Sequence, residues 1–64
     1  MPTCLTPREI DVVWAVCLGW NNAEIGRALG IRPTTVRDHL RAIYRKLGLG
    51  NRVEVAVIAL AAGW

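Results

Sequence analysis

The stretch Asn21-Asn22-Ala23-Glu24-Ile25-Gly26-Arg27-Ala28-Leu29-Gly30-Ile31-Arg32-Pro33-Thr34-Thr35-Val36-Arg37-Asp38-His39-Leu40 decides the fold of this chain. Asn21 and Glu24 stand at capping-box spacing: a short polar side chain accepts an orphan N–H of the first helical turn, and the acid three residues on reaches back to the cap. Trp20 and Ile25 flank the box as a staple pair. Gly30 follows the apolar periodicity where a left-handed residue closes a helix. Pro33 suits a first helical position, where its missing N–H costs nothing. The spacing predicts one helix over about 22–29 and another over about 33–47, joined by roughly three residues.

Two helices joined so tightly through a glycine are the signature of a helix-turn-helix. The same punctuation continues outward. Thr6-Pro7-Arg8-Glu9 is a second capping box with Leu5 and Ile10 as its staple, and Asn51-Arg52-Val53-Glu54 has the spacing of a third. All three glutamates thus have capping roles. Gly19, Gly48 and Gly63 supply the matching stops. These signals add helices over about 7–18 and 52–62. No segment alternates as a strand does, so the expected class is all-α: a compact four-helix helix-turn-helix, with residues 1–64 as one domain.

Length and composition exclude much else. At 64 residues, 53% of them apolar, the chain buries only about 60% of its unfolded surface and leaves no room for a cavity enclosing a small-molecule ligand. The apolar runs at 12–20 and 55–64 fall short of the ~18 residues that span a bilayer, so no membrane partner is expected. Met1-Pro2-Thr3-Cys4 has neither a basic nor an apolar leader region, which makes the cytoplasm the expected location. Two cysteines, Cys4 and Cys17, and one histidine do not reach the about four closely spaced ligands of a zinc site, so neither a metal nor another cofactor is expected. With no serine, no glycine-rich phosphate loop and no acid–base pair outside the caps, an enzyme lacks its parts.

The net charge of +3 is unevenly divided. Residues 1–26 set Arg8 against Glu9, Asp11 and Glu24, for −2. Residues 27–52 set Arg27, Arg32, Arg37, Arg41, Arg45, Lys46 and Arg52 against Asp38 alone, for +6. A concentrated basic patch is what an anionic polymer reads. Within the predicted helix over 33–47, Val36, Leu40, Ile43, Tyr44 and Leu47 recur at helical spacing as a buried stripe. Thr34, Arg37, Asp38, Arg41 and Arg45 recur on the opposite side. A solvated face would ordinarily mix lysine with glutamate. This one carries three arginines, whose planar forks suit guanine edges and phosphates.

Leu5-Thr6-Pro7-Arg8-Glu9, Gly19-Trp20-Asn21-Asn22-Ala23-Glu24-Ile25, Thr35-Val36-Arg37-Asp38-His39, Lys46-Leu47-Gly48 and Arg52-Val53-Glu54 stand in the order and spacing of the LuxR/GerE-type helix-turn-helix domain, which the chain resembles over nearly its whole length. The resemblance implies a bacterial transcription regulator that binds double-stranded DNA with its third helix in the major groove. Carried over by position, it implies base reading by Arg37, Asp38 and Arg41, and phosphate contacts by Asn22, Thr34, Thr35, Lys46 and Arg52. Arg32 and Arg45 join the expected phosphate contacts. Two positions depart from the family pattern: Arg32 replaces a small hydroxyl cap, and the acid Asp38 stands at a base-reading site. Asp38 has two possible roles, accepting from cytosine N4 or orienting Arg41.

The last helix is apolar on too many sides for so small a domain. Val55, Ala56, Ala59 and Ala62 form a small-residue face suited to the first helix, while Val53, Val57, Leu60 and Trp64 form a second stripe of coiled-coil spacing. This stripe is expected to make a homodimer, with an upstream domain as the alternative cover. RNA polymerase completes the expected partners. Trp14 is expected in the core with Ile10, Val13 and Cys17, and Tyr44 at its rim. His39 is expected to pack or to lie on the phosphate side. Two rivals remain. A promoter-reading sigma-factor domain shares the Leu-Thr-Pro-Arg-Glu opening, and the third capping box and apolar last helix argue against it. A protein-interaction module would use the apolar stripe and leave the arginine face idle.

Overall fold

The computed structural model describes residues 4–64 and contains four helices, α1 (Pro7–Cys17), α2 (Asn22–Leu29), α3 (Pro33–Leu47) and α4 (Arg52–Ala62), with no strand among the described residues. Met1, Pro2 and Thr3, on which the leader reading rests, lie outside them. The expected helices are therefore present, and α1 stops one residue early, with Leu18 as its cap. None of the helices is long and apolar enough to cross a membrane.

Local chemistry sets each start. Thr6 Oγ1 accepts from Glu9 N–H at 3.1 Å while Glu9 Oε1 accepts from Thr6 N–H at 2.8 Å. Asn21 and Glu24 repeat this exchange at 2.8 Å in both directions. The third box forms only in part. Asn51 Oδ1 accepts from Glu54 N–H, but the Glu54 carboxylate takes its bond from the Asn51 side-chain amide instead of the backbone. Asn51 has a φ of −162°, more extended than the caps of α1 and α2, and its own amide is the donor the carboxylate meets.

The core is a single cluster in which Val12, Val13, Ile25, Val36, Ile43 and Val55 are the largest fully buried side chains. α4 packs mainly on α1 and α2 mainly on α3, and α3 also contacts α1 and α4. Two expectations about tryptophan fail here. Trp14 is 43% exposed, because α1 turns Glu9, Val12, Val13 and Val16 inward and position 14 falls on the opposite side with Asp11 and Leu18. Trp64 does not extend the α4 stripe. Gly63, at φ +69°, turns the chain off the helix, and Trp64 packs half-buried against the core with its N–H on the Ala59 carbonyl. Of the face meant for α1, Val55 and Ala59 are buried, Ala56 is half-buried and Ala62 is exposed.

The corner between α2 and α3 depends on Gly26. A Cβ there would sit 2.5 Å from the Ile31 carbonyl oxygen, inside contact distance, and Ile31 N–H returns to the Gly26 carbonyl at 2.9 Å. Branched side chains cannot fit against that backbone. Gly26→Val is expected to lower unfolding free energy by about 3 kcal/mol. Ala28→Val, on the exposed side of the same helix, should lower it by less than about 1 kcal/mol. Chemical denaturation of the two variants measures the contrast.

Glu9 has a second partner that links α1 to α3. Its Oε1 accepts from Lys46 Nζ at 2.7 Å, with the carboxylate side chain only 5% exposed and the lysine 31%. Burial pushes the Glu9 carboxyl up, but the Lys46 and Thr6 hydrogen bonds and the Lys46 charge outweigh it and hold the group below its ordinary 4.5. A depressed carboxyl stabilises the fold above its unfolded value and loses that contribution as the pH falls through its folded value. Stability is therefore expected to fall as acid is added below about pH 4.5. Glu9→Gln, which keeps an acceptor for Thr6, should cost about 1–2 kcal/mol at neutral pH. It should also flatten the acid limb, and denaturation across pH 2–7 reads both effects.

Candidate nucleic-acid interface

α3 is where buried and exposed faces are most sharply divided. Val36, Leu40 and Ile43 point into the core, with Tyr44 and Leu47 half-buried beside them. Because a helix advances 100° per residue, fixing these positions turns Thr34, Arg37, Asp38, Arg41 and Arg45 outward together, and all five are exposed. Thr35, His39, Ala42 and Lys46 run along one flank of this face at spacings of four, three and four.

Ion pairing leaves most of this charge available. Arg37 Nε lies 3.9 Å from Asp38 Oδ1, and both side chains are well exposed, so the pair is weak. Asp38 thus stands beside Arg37, and no ion pair joins it to Arg41 among the described residues. No hydrogen bond or salt bridge engages Arg27, Arg32, Arg41 or Arg45 among the described residues. Arg32 is the N-cap of α3 and makes no side-chain capping bond, as its sequence predicts, so the first-turn N–H groups of Thr34 and Thr35 stay open. Around this uncapped start, Ala23, Arg27, Arg32 and Thr35 line a shallow open hollow. Sequence reasoning passed over Arg27 because its position in the last turn of α2 is where any cation complements the helix dipole.

Three expected phosphate contacts have intramolecular partners instead of free ends. Lys46 holds Glu9, as described above. Arg52 Nη1 donates to Asn22 Oδ1 at 2.8 Å and Nη2 donates to the Trp20 carbonyl at 2.9 Å. These pairings span 37, 30 and 32 residues, beyond the reach of any local motif. The cysteines are free: Cys4 is exposed, and burial pushes the Cys17 thiol up, which makes it a poorer nucleophile.

The α4 stripe is exposed without interruption. Val53, Val57 and Leu60 are 66%, 59% and 65% exposed, and with Trp20, Gly19 and Ala56 they border an apolar groove between α4 and the α1–α2 corner. These three carry the expected dimer face, and Trp64 is not among them.

The chain matches the family model described as bacterial regulatory proteins, luxR family, over residues 3–59. It is 47% identical over 51 residues to a Mycobacterium bovis protein whose name carries the words HTH-type transcriptional regulator, covering 80% of this chain and 6% of that protein. It is 41% identical over 61 residues to the HTH-type transcriptional activator RamA of Corynebacterium glutamicum, covering 95% of this chain and 22% of RamA. It is 38% identical over 55 residues to the HTH-type transcriptional regulator MalT of Vibrio campbellii, covering 86% and 6%. The chain thus spans less than a quarter of the length of these three relatives. The family match also decides between the two helix-turn-helix classes that share the Leu-Thr-Pro-Arg-Glu opening. The chain belongs to the LuxR family of bacterial regulatory proteins, as a DNA-binding helix-turn-helix domain of the transcription-regulator kind.

Proposed function

We propose that residues 1–64 act as one DNA-reading domain, placing α3 in the major groove of double-stranded DNA and pairing with a second copy through α4. The observation that carries this reading is the exposed line of Arg37, Arg41 and Arg45 opposite the fully buried Val36 and Ile43. A helix of this length extends about 22 Å, enough to lie along a groove while its first turns meet base edges. Arg37 and Arg41, one turn apart, each offer a fork to guanine O6 and N7, and Asp38 offers an acceptor to cytosine N4. Arg32, Thr34, Thr35 and Arg45 hold the sugar–phosphate backbone, and Lys46 adds the donors that Glu9 leaves free. Arg27 joins them from across the hollow. The role is binding without catalysis, in the cytoplasm, with RNA polymerase as the machinery it influences.

The uncharged ridge of Val53, Val57 and Leu60 supports the dimer. It lies beside an apolar groove, so two copies related by a two-fold axis can place ridge against groove. Two linked modules would then read an inverted repeat whose half-site spacing the dimer fixes.

Selection of bound duplexes from a random pool supplies a preferred site. On that site, Arg41→Ala is expected to cost about 1–3 kcal/mol while binding to random duplex changes far less. Arg45→Ala should weaken both duplexes alike and lower the slope of log affinity against log salt by about 0.9. Equal losses on both duplexes for both variants would overturn the assignment. Light scattering over a concentration series should show a dimer that Val57→Glu abolishes, and a wild type that stays monomeric at high concentration would remove the α4 pairing.

A further inference from the structure

Among the described residues, one side chain supplies the side-chain hydrogen bonding between α4 and the start of α2. α2 packs mainly on α3 and α4 mainly on α1. Between them reaches Arg52, the first residue of α4, with one nitrogen on Asn22 Oδ1 at 2.8 Å and another on the Trp20 carbonyl at 2.9 Å. Asn22 is the first residue of α2, and Trp20 lies in the corner just before its cap. Arg52 and Asn22 are both half-buried, which confines their polar ends. Two separate acceptors held at once call for a planar fork of donors, and an ammonium on a flexible stem does not supply that geometry.

A side-chain amide has one acceptor end and one donor end. Arg52 occupies the acceptor end of Asn22, so the amide is turned with its Nδ2 donors away from the guanidinium. We infer that Arg52 is a positioning residue: it touches no phosphate itself, and acts by fixing the start of α2 and turning the Asn22 amide so that its donors face a backbone phosphate of the DNA. The inference rests on the DNA-binding reading above and reassigns Arg52 from the set of expected phosphate contacts while keeping Asn22 within it.

The test measures affinity of the whole chain for the selected duplex, across a salt series, for the wild type, Arg52→Lys, Asn22→Ala and the double variant, with Arg45→Ala as the reference for a direct ionic contact. Arg52→Lys keeps the charge and loses the fork. It is expected to weaken binding on the order of tenfold, as Asn22→Ala does, with the salt slope unchanged in both. The double variant should bind no worse than either single one. Asn22→Asp guards against loss of fold, since its carboxylate still accepts from Arg52 but has no donor for a phosphate. It should keep the wild-type melting temperature and lose binding. Arg52→Lys binding like the wild type, single losses that multiply in the double variant, or Asn22→Asp binding normally would each overturn the inference. A wild type that binds no duplex even at low salt would overturn the DNA-binding reading and this inference with it.

Discussion

Insertion of Val36, Leu40 and Ile43 into the core is the constraint on which the rest depends. Three apolar side chains on one side of a 15-residue helix, each at most 3% exposed, leave that helix one rotational setting. Each is worth about 1.5–3 kcal/mol of burial. A rotation by one residue would bring Arg37 and Arg41 toward the core in their place, and an unpaired buried charge costs several kcal/mol. The arginine face is therefore defined from behind. Its own charges contribute little to holding it, since the Arg37–Asp38 pair is distant and exposed.

Six of the eight cations in this chain divide into two uses. Lys46 and Arg52 join parts of the fold, the first tying α3 to the capping box of α1 and the second tying α4 to the start of α2. Arg27, Arg32, Arg41 and Arg45 make no such bond among the described residues, and they are exposed around α3 and its start. Net charge alone does not separate these groups. An ammonium already neutralised by a carboxylate at 2.7 Å releases fewer counterions on binding a polyanion than an exposed guanidinium does.

The residues legible in the sequence are those governed by interactions within about four positions. The two full capping boxes, the stops at Gly30, Gly48 and Gly63, and the two faces of α3 all follow from local hydrogen bonding and helical period. Reading failed where the deciding partner lies far along the chain or where the buried face of a helix centres on other positions than the apolar pattern suggests. Trp14 shares a helical face with Ile10, Val13 and Cys17, yet the buried stripe of α1 centres on positions 12, 13 and 16 and leaves position 14 outside it. Trp64 fell in register with the α4 stripe only if the helix ran on, and Gly63 ends it. The Asn51–Glu54 box had the right spacing, but the side-chain amide competed for the carboxylate. Glu9–Lys46 and Asn22–Arg52 each had both members visible in the sequence, and only the packing of helices brings them together.

The central claim is that the guanidinium groups of α3, held from behind by aliphatic burial, meet base-pair edges as a set. Nitrogen-15 spectra of the arginine side chains, recorded as a selected duplex is titrated in, test it most directly. The Arg37 and Arg41 Nε–H signals should shift and slow their exchange with water in step with binding, while Arg8 on α1 stays unchanged. Perturbation of Arg8, or of the α4 backbone, with Arg37 and Arg41 unaffected would show that another face meets the DNA and would contradict the account.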